Sequence, residues 1–330
     1  MRMLSRTCLL SSALLAASSL LAQSPLLLVA NQTDHTLSLI DPATNHQVAA
    51  IDVKGITGHE VAVSPDGRTA YVPIYGDSGV GKPGTDGQVI DVIDLPSRSI
   101  RSTIDFGHGV RPHMPAYDSA TNQLLVTTEL DRSIAVIDPA TLKVQGSIPT
   151  GQEQSHMFVF SPDQKRIYTA NVGPGTVSVL DVASRKVLAI IPISSKTQRI
   201  AISPDGRSVF TSDQAQPRLA VIDTATNAVR AWVALPDLGY GSAITQDGRT
   251  LLIVHRATSQ LSVVDLKTLQ VERTLAVPND PTEVIVRPDG RFAYVSCGKA
   301  GQVAVVDLAS WSVVARIDAG RGADGLAWAR

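Results

Sequence analysis

"RIAISPDGRSVFTSDQAQPRLAVIDTATNAVRAWVAL", residues 199–235, divides into four apolar segments separated by turn chemistry. "RIAIS" and "SVFTS" flank "PDGR", and "LAVID" and "AVRAWVAL" flank "TATN". Pro presets φ, Asp bonds to its own backbone, and Gly takes the left-handed position, so both breaks read as tight turns. The segments are rich in Val, Ile, Leu and Ala on both faces. That suits strands covered on two sides rather than one.

The third segment recurs. "LSLID" ends at Asp41, "VIDVID" at Asp94, "IAVID" at Asp138, "VSVLD" at Asp181, "LAVID" at Asp223, "LSVVD" at Asp265 and "VAVVD" at Asp307. The steps are 53, 44, 43, 42, 42 and 42 residues. Seven four-stranded units of this length predict an all-β, seven-bladed β-propeller of antiparallel blades. The last residues, "GLAWAR", match a first strand alone, and "PLLLVAN" near the start matches a second strand. One blade is therefore expected to take strands from both ends of the chain, which closes the ring and removes free sheet edges.

"SPDGRTAYVP" (64–73), "SPDQKRIYTAN" (161–171), "SPDGRSVFTSD" (203–213) and "RPDGRFAYVSC" (287–297) resemble the YVTN-type repeat of the YncE-like proteins. The resemblance runs along nearly all of 23–330 and implies the propeller. It does not choose an activity, because propellers of this kind include surface-layer proteins, binding proteins, lactonases and cofactor-bearing domains.

Residues 1–22 read as a signal peptide, with Arg2 and Arg6 before the apolar run Leu9 to Ala22. The run is short for a membrane span, so no transmembrane segment is expected. A periplasmic or secreted location follows. The propeller occupies 23–330 as a single domain. There Cys297 is the one cysteine, so no intramolecular disulfide and no C-x-x-C-H haem attachment site can form. Lys plus Arg is 29 against 30 for Asp plus Glu, and that balance argues against nucleic acid as a partner.

Strand alternation sorts the loops into two faces. The turns after the repeated Asp are uniform and read as scaffold. The opposite, top face carries loops of varied length and chemistry, which suits a site on a rigid frame. Six of the seven histidines fall there: His35, His59, His108, His113, His156 and His255. Aligning the units places His59, His113, His156, Gln198, Tyr240, Thr282 and Ala323 at one position near the start of the first strand. The next position holds Glu60, Met114, Met157, Arg199, Gly241, Glu283 and Asp324. The first set is expected to ring the mouth of the central channel.

Three histidines on consecutive blades are a candidate metal set for Zn or Cu, with His108, Glu60 or Glu153 as further ligands or orienting groups. Met114 and Met157 would favour copper. The alternative is that the imidazoles only hydrogen-bond in the interfaces between blades. Arg111, Arg199, Tyr240, Glu283 and Asp324 are the candidate ligand-binding residues, and Arg111, Arg199, Arg256 and Arg321 could attract an anion. Neither a G-x-S-x-G elbow nor an H-E-x-x-H motif nor a Walker loop occurs. The expected function is a non-enzymatic propeller that binds a small molecule, metal ion or protein partner on its top face. One alternative is a lactonase-like metal-dependent hydrolase or lyase with Glu60 as general base. The other is a structural surface or scaffold protein. The segment "IYGDSGVGKPGTDGQ" (74–88) breaks the repeat on the top face and reads as a flap beside the channel mouth.

Overall fold

Each repeated Asp folds its carboxylate back onto the turn that follows. Asp41 accepts from the Ala43 amide, Asp138 from Ala140, Asp223 from Ala225 and Asp307 from Ala309, at 2.8–3.0 Å. Four residues after each Asp the backbone takes positive φ: Asn45, Arg98, Leu142, Arg185, Asn227, Leu269 and Trp311 lie between 53° and 59°. Only Asn45 and Asn227 are residue types that favour this region. The turn geometry therefore prevails over local preference at the other five.

A computed structural model describes residues 25–329, so the expected signal segment 1–22 lies outside the described residues. The first strands are β1 (Leu26–Asn31), β2 (Thr36–Asp41) and β3 (His46–Asp52). Blade 1 follows as β4 (Ala62–Val63), β5 (Thr69–Gly76), β6 (Asp86–Asp94) and β7 (Ser99–Asp105). Blade 2 spans 112–149, blade 3 spans 155–192, blade 4 spans 197–234, blade 5 spans 242–276 and blade 6 spans 281–318, with four strands each. The last strand, β28 (Ala323–Ala329), joins β1 in the order β28-β1-β2-β3 and completes blade 7. Its register pairs Leu27 with Trp328 and Val29 with Leu326. The seven-bladed all-β ring and its closure by both ends of the chain are as the repeat implied. Among the described residues no helix is long and apolar enough to cross a membrane.

The core is divided into seven clusters, one between each pair of neighbouring blades. Leu28, Leu37 and Leu39 of blade 7 pack on Val72 and Ile74 of blade 1. Phe210 and Leu219 of blade 4 pack on Leu251 and Ile253 of blade 5. This explains the two-faced apolar strands.

Two first strands are shorter than the sequence suggests. Blade 1 begins with only Ala62–Val63, preceded by an isolated bridge from Gly58 to Ile74, and Ser242–Ile244 replaces a full strand in blade 5. The flap is shorter too, because β5 runs on to Gly76 and β6 starts at Asp86. Its free part is 77–85.

Candidate functional site

The seven first-strand positions aligned above meet at one place. His59, His113, His156, Gln198, Tyr240, Thr282 and Ala323 all line a cavity of about 450 Å³ at the channel mouth. Ser78, Gly79 and Val80 of the flap line it as well, as do Gln32, Arg256, Asp280, Lys299 and Arg321.

Blades 1 to 3 form an aromatic wall. The His59 and His113 ring centroids are 5.2 Å apart, and those of His113 and His156 only 3.6 Å. The Tyr75 ring stands edge-on to both buried imidazoles, at 5.3 and 5.9 Å. His113 and His156 are 1% and 3% exposed, and their Nδ1 atoms are buried without a hydrogen-bond partner. Burial holds both imidazoles well below the usual histidine range. For His113 the neighbouring His156 adds to the effect, and for His156 the Arg199 charge does. Both rings are therefore neutral at physiological pH, each with a ring nitrogen that the protein leaves unpaired.

His59 differs. Gln32 Nε2 lies 2.8 Å from its Nδ1 and also donates to Asp324. The same Nδ1 lies 3.5 Å from Asp324 Oδ2, so this ring, unlike the other two, is held by protein groups.

Beneath the wall, Arg199 of blade 4 reaches across the channel. Its Nη1 donates to Glu60 at 2.7 Å and its Nη2 to Asp324 at 3.0 Å, with Glu283 at 3.5 Å. Its guanidinium also stacks on Tyr240, 4.9 Å from the ring centroid. Three carboxylates around one guanidinium cannot all ionise cheaply. Burial, reinforced by the Glu283 charge, pushes Glu60 well above the usual carboxylate range. Burial also raises Glu283. Asp324 bears the negative charge: burial opposes it, but Arg199 and the hydrogen bond to His59 bring it down to about 2. Burial works against charge on Arg199 too, and Glu60 and Asp324 outweigh it.

Several expected residues fall elsewhere. Arg111 does not line the cavity; it is buried beside the flap, bonded to Asp86 at 2.6 Å and to the Lys82 carbonyl at 2.7 Å. His108 is exposed and pairs with Asp131, and Glu153 is exposed and pairs with Arg132. Neither belongs with the histidine wall. His255 is buried against Ser262 at 2.7 Å, a strand-to-strand tie. Arg256 and Arg321 are paired with Asp280 and Asp34, which reduces their pull on an anion. Met114 and Met157 pack into the cluster between blades 3 and 4, and the Met157 sulfur lies 3.9 Å from Arg199. Glu60, the candidate general base, is buried and bonded to Arg199 at 2.7 Å rather than free to take a proton from a substrate. Cys297 is buried, which pushes its thiol up to about 12. The Gln32 bridge and the flap contacts carry no local motif.

Among the described residues no group of three or more His, Cys, Asp or Glu is arranged to hold a metal ion. Geometry explains this. Two imidazoles bound to one tetrahedral Zn²⁺ through bonds of about 2.0–2.1 Å have ring centroids roughly 5 Å apart. His59 and His113 match that spacing. His113 and His156 are too close for it, and His59 Nδ1 is already engaged by Gln32 and Asp324.

Residues 237–329 match the family model described as YNCE-like beta-propeller. The chain is a seven-bladed β-propeller that over this stretch is similar to the YncE-like family. Residues 117–237 match a second model, the Cytochrome D1 heme domain. A seven-bladed beta-propeller protein of Mycobacterium tuberculosis is 32% identical over 157 residues, which is 47% of this chain and 35% of that protein. The match thus spans about a third of the length of this relative. Among solved structures, Kuenenia stuttgartiensis hydrazine synthase superposes with a TM-score of 0.74 and 22% identity, over 87% of this propeller and 93% of that chain. At that identity the likeness is one of fold.

Proposed function

We propose that this propeller is a non-enzymatic binding protein that takes a small polar ligand into the top-face cavity, against the wall of His59, His113 and His156. One observation carries the reading: two buried, neutral imidazoles stand in the cavity wall, and their Nδ1 atoms, turned away from solvent, have no protein partner to hold the rings in place. Buried polar atoms are nearly always paired, so such a pair calls for a partner from outside the chain. Arg199, Tyr240 and Asp324 form the adjoining surface, with Glu283 behind Arg199. The protein acts in the periplasm or outside the cell, after removal of 1–22.

A bound Zn or Cu ion is the second reading, favoured by the 5.2 Å spacing of His59 and His113. It requires His156 to turn away from His113. A hydrolase gains no support from Glu60, which is committed to Arg199. The Cytochrome D1 heme domain match raises a haem-type group, and the residues do not fit it. Its flat faces need apolar walls, whereas this lining is largely polar and charged, and His113 and His156 leave no gap between their rings.

Thermal shift of the purified chain against Zn²⁺, Cu²⁺ and a panel of small polar metabolites tests the reading. A compound that raises Tm in the wild type but not in His113→Ala/His156→Ala supports it. Stabilisation that survives in the variant, or none across the panel, favours the scaffold alternative. An N-terminus at Gln23 in protein recovered from cells supports the location.

A further inference from the structure

The 77–85 segment leaves blade 1 and crosses the two blades that carry the buried histidines. On blade 2 it meets Glu129, which accepts from the Gly81 amide at 3.0 Å and from the Tyr75 hydroxyl. Arg111, also on blade 2, donates to the Lys82 carbonyl and to Asp86, with Glu129 3.5 Å away. At the tip Gly81 lies against Gln154, two residues before His156 on blade 3, and a side chain at Gly81 would collide with that amide. Glu129, Arg111 and Tyr75 are all buried. A buried Glu and Arg bonded mainly to one loop serve that loop rather than the blade scaffold. Other blades manage the same connection with four residues, as at 32–35 and 172–175.

We propose that the 77–85 segment is a gate over the histidine wall, latched by Glu129, and that its opening decides what reaches His113 and His156. The inference rests on the reading of that wall as the binding surface. Ser78, Gly79 and Val80 share the cavity with the imidazoles, so lifting the loop widens the opening beside them. Glu129 holds it from both ends, through the Tyr75 hydroxyl at its base and the Gly81 amide at its tip. Glu129 is thus a positioning residue, acting on the site through the loop.

Carbethoxylation by diethylpyrocarbonate tests this without knowledge of the ligand, because the reagent attacks neutral imidazole. Mass spectrometry follows each histidine in the folded full chain, with exposed His46 as the internal standard. His113 and His156 are expected to react far more slowly than His46. Replacing 78–84 by Gly-Gly should raise their rates about tenfold while His46 stays constant. Glu129→Ala should behave like the shortened loop. Glu129→Gln, which keeps an acceptor for the Gly81 amide, should stay near the wild type. Wild-type rates equal to that of His46, or no acceleration in the shortened loop, would overturn the gate. Acceleration in the shortened loop but not in Glu129→Ala would overturn the latch. The binding reading fails separately, if no compound depends on His113 and His156 while the gate result stands.

Discussion

Replacing Arg199 with Met removes the one positive charge from a buried group of three carboxylates and leaves a side chain of similar length. Leaving buried charge unpaired in this way costs about 3–5 kcal/mol. With an unfolding entropy of roughly 2 cal/mol/K per residue, a propeller of this size should lose about 5–8 °C in Tm. The loss depends on pH. Glu60 and Glu283 are raised in the folded state, so they weaken folding as pH climbs above the ordinary glutamate range. Asp324 is lowered to about 2, so it stabilises at any pH above the ordinary aspartate value, and that contribution fades as pH falls towards 2. Without Arg199 all three move up, and the destabilisation grows with pH. Thermal unfolding followed by circular dichroism should show the larger deficit at pH 8 and a smaller one at pH 5. Adding Glu60→Gln and Asp324→Asn should recover part of the pH 8 loss. A deficit equal at both pH values, or below about 1 kcal/mol, would refute the view that Arg199 is there to balance charge.

Gly87→Ala should destabilise strongly or prevent folding, because a Cβ there runs into the Ile74 carbonyl, and expression with thermal melting checks this. Asp223→Ala removes the acceptor for the Ala225 and Thr226 amides and should cost about 0.5–1.5 kcal/mol by urea titration, with no change in Cys297 burial. Cys297, buried and with its thiol pushed up to about 12, should resist iodoacetamide at pH 8 in the native protein and react once urea unfolds it. Deleting 323–329 removes β28 from the closing blade and should give an open, aggregating chain by light scattering.

The architecture was legible because it depends on residues close in sequence. The Asp that ends each third strand bonds within its own turn, and seven such turns at nearly constant spacing fix the blade count. The ring of first-strand positions was legible for the same reason, since equivalent register in equivalent blades puts His59, His113, His156, Gln198, Tyr240, Thr282 and Ala323 around one mouth. What lies below that ring was not. Arg199 pairs with residues 139, 125 and 84 positions away, and whether an arginine faces solvent or spans a channel depends on its radial reach. Arg111 misled for a related reason: a top-face arginine looks like an anion receptor until its loop partner is known. His59 is held by Gln32, a residue of the closing blade that no alignment of blade 1 would bring near.

Arg199 has one more effect. It ties blade 4 to blades 1, 6 and 7 through the middle of the ring, although blade 4 shares no strand pairing with any of them. A force that spreads the ring is therefore resisted at its hub as well as at the seam where the two ends of the chain meet.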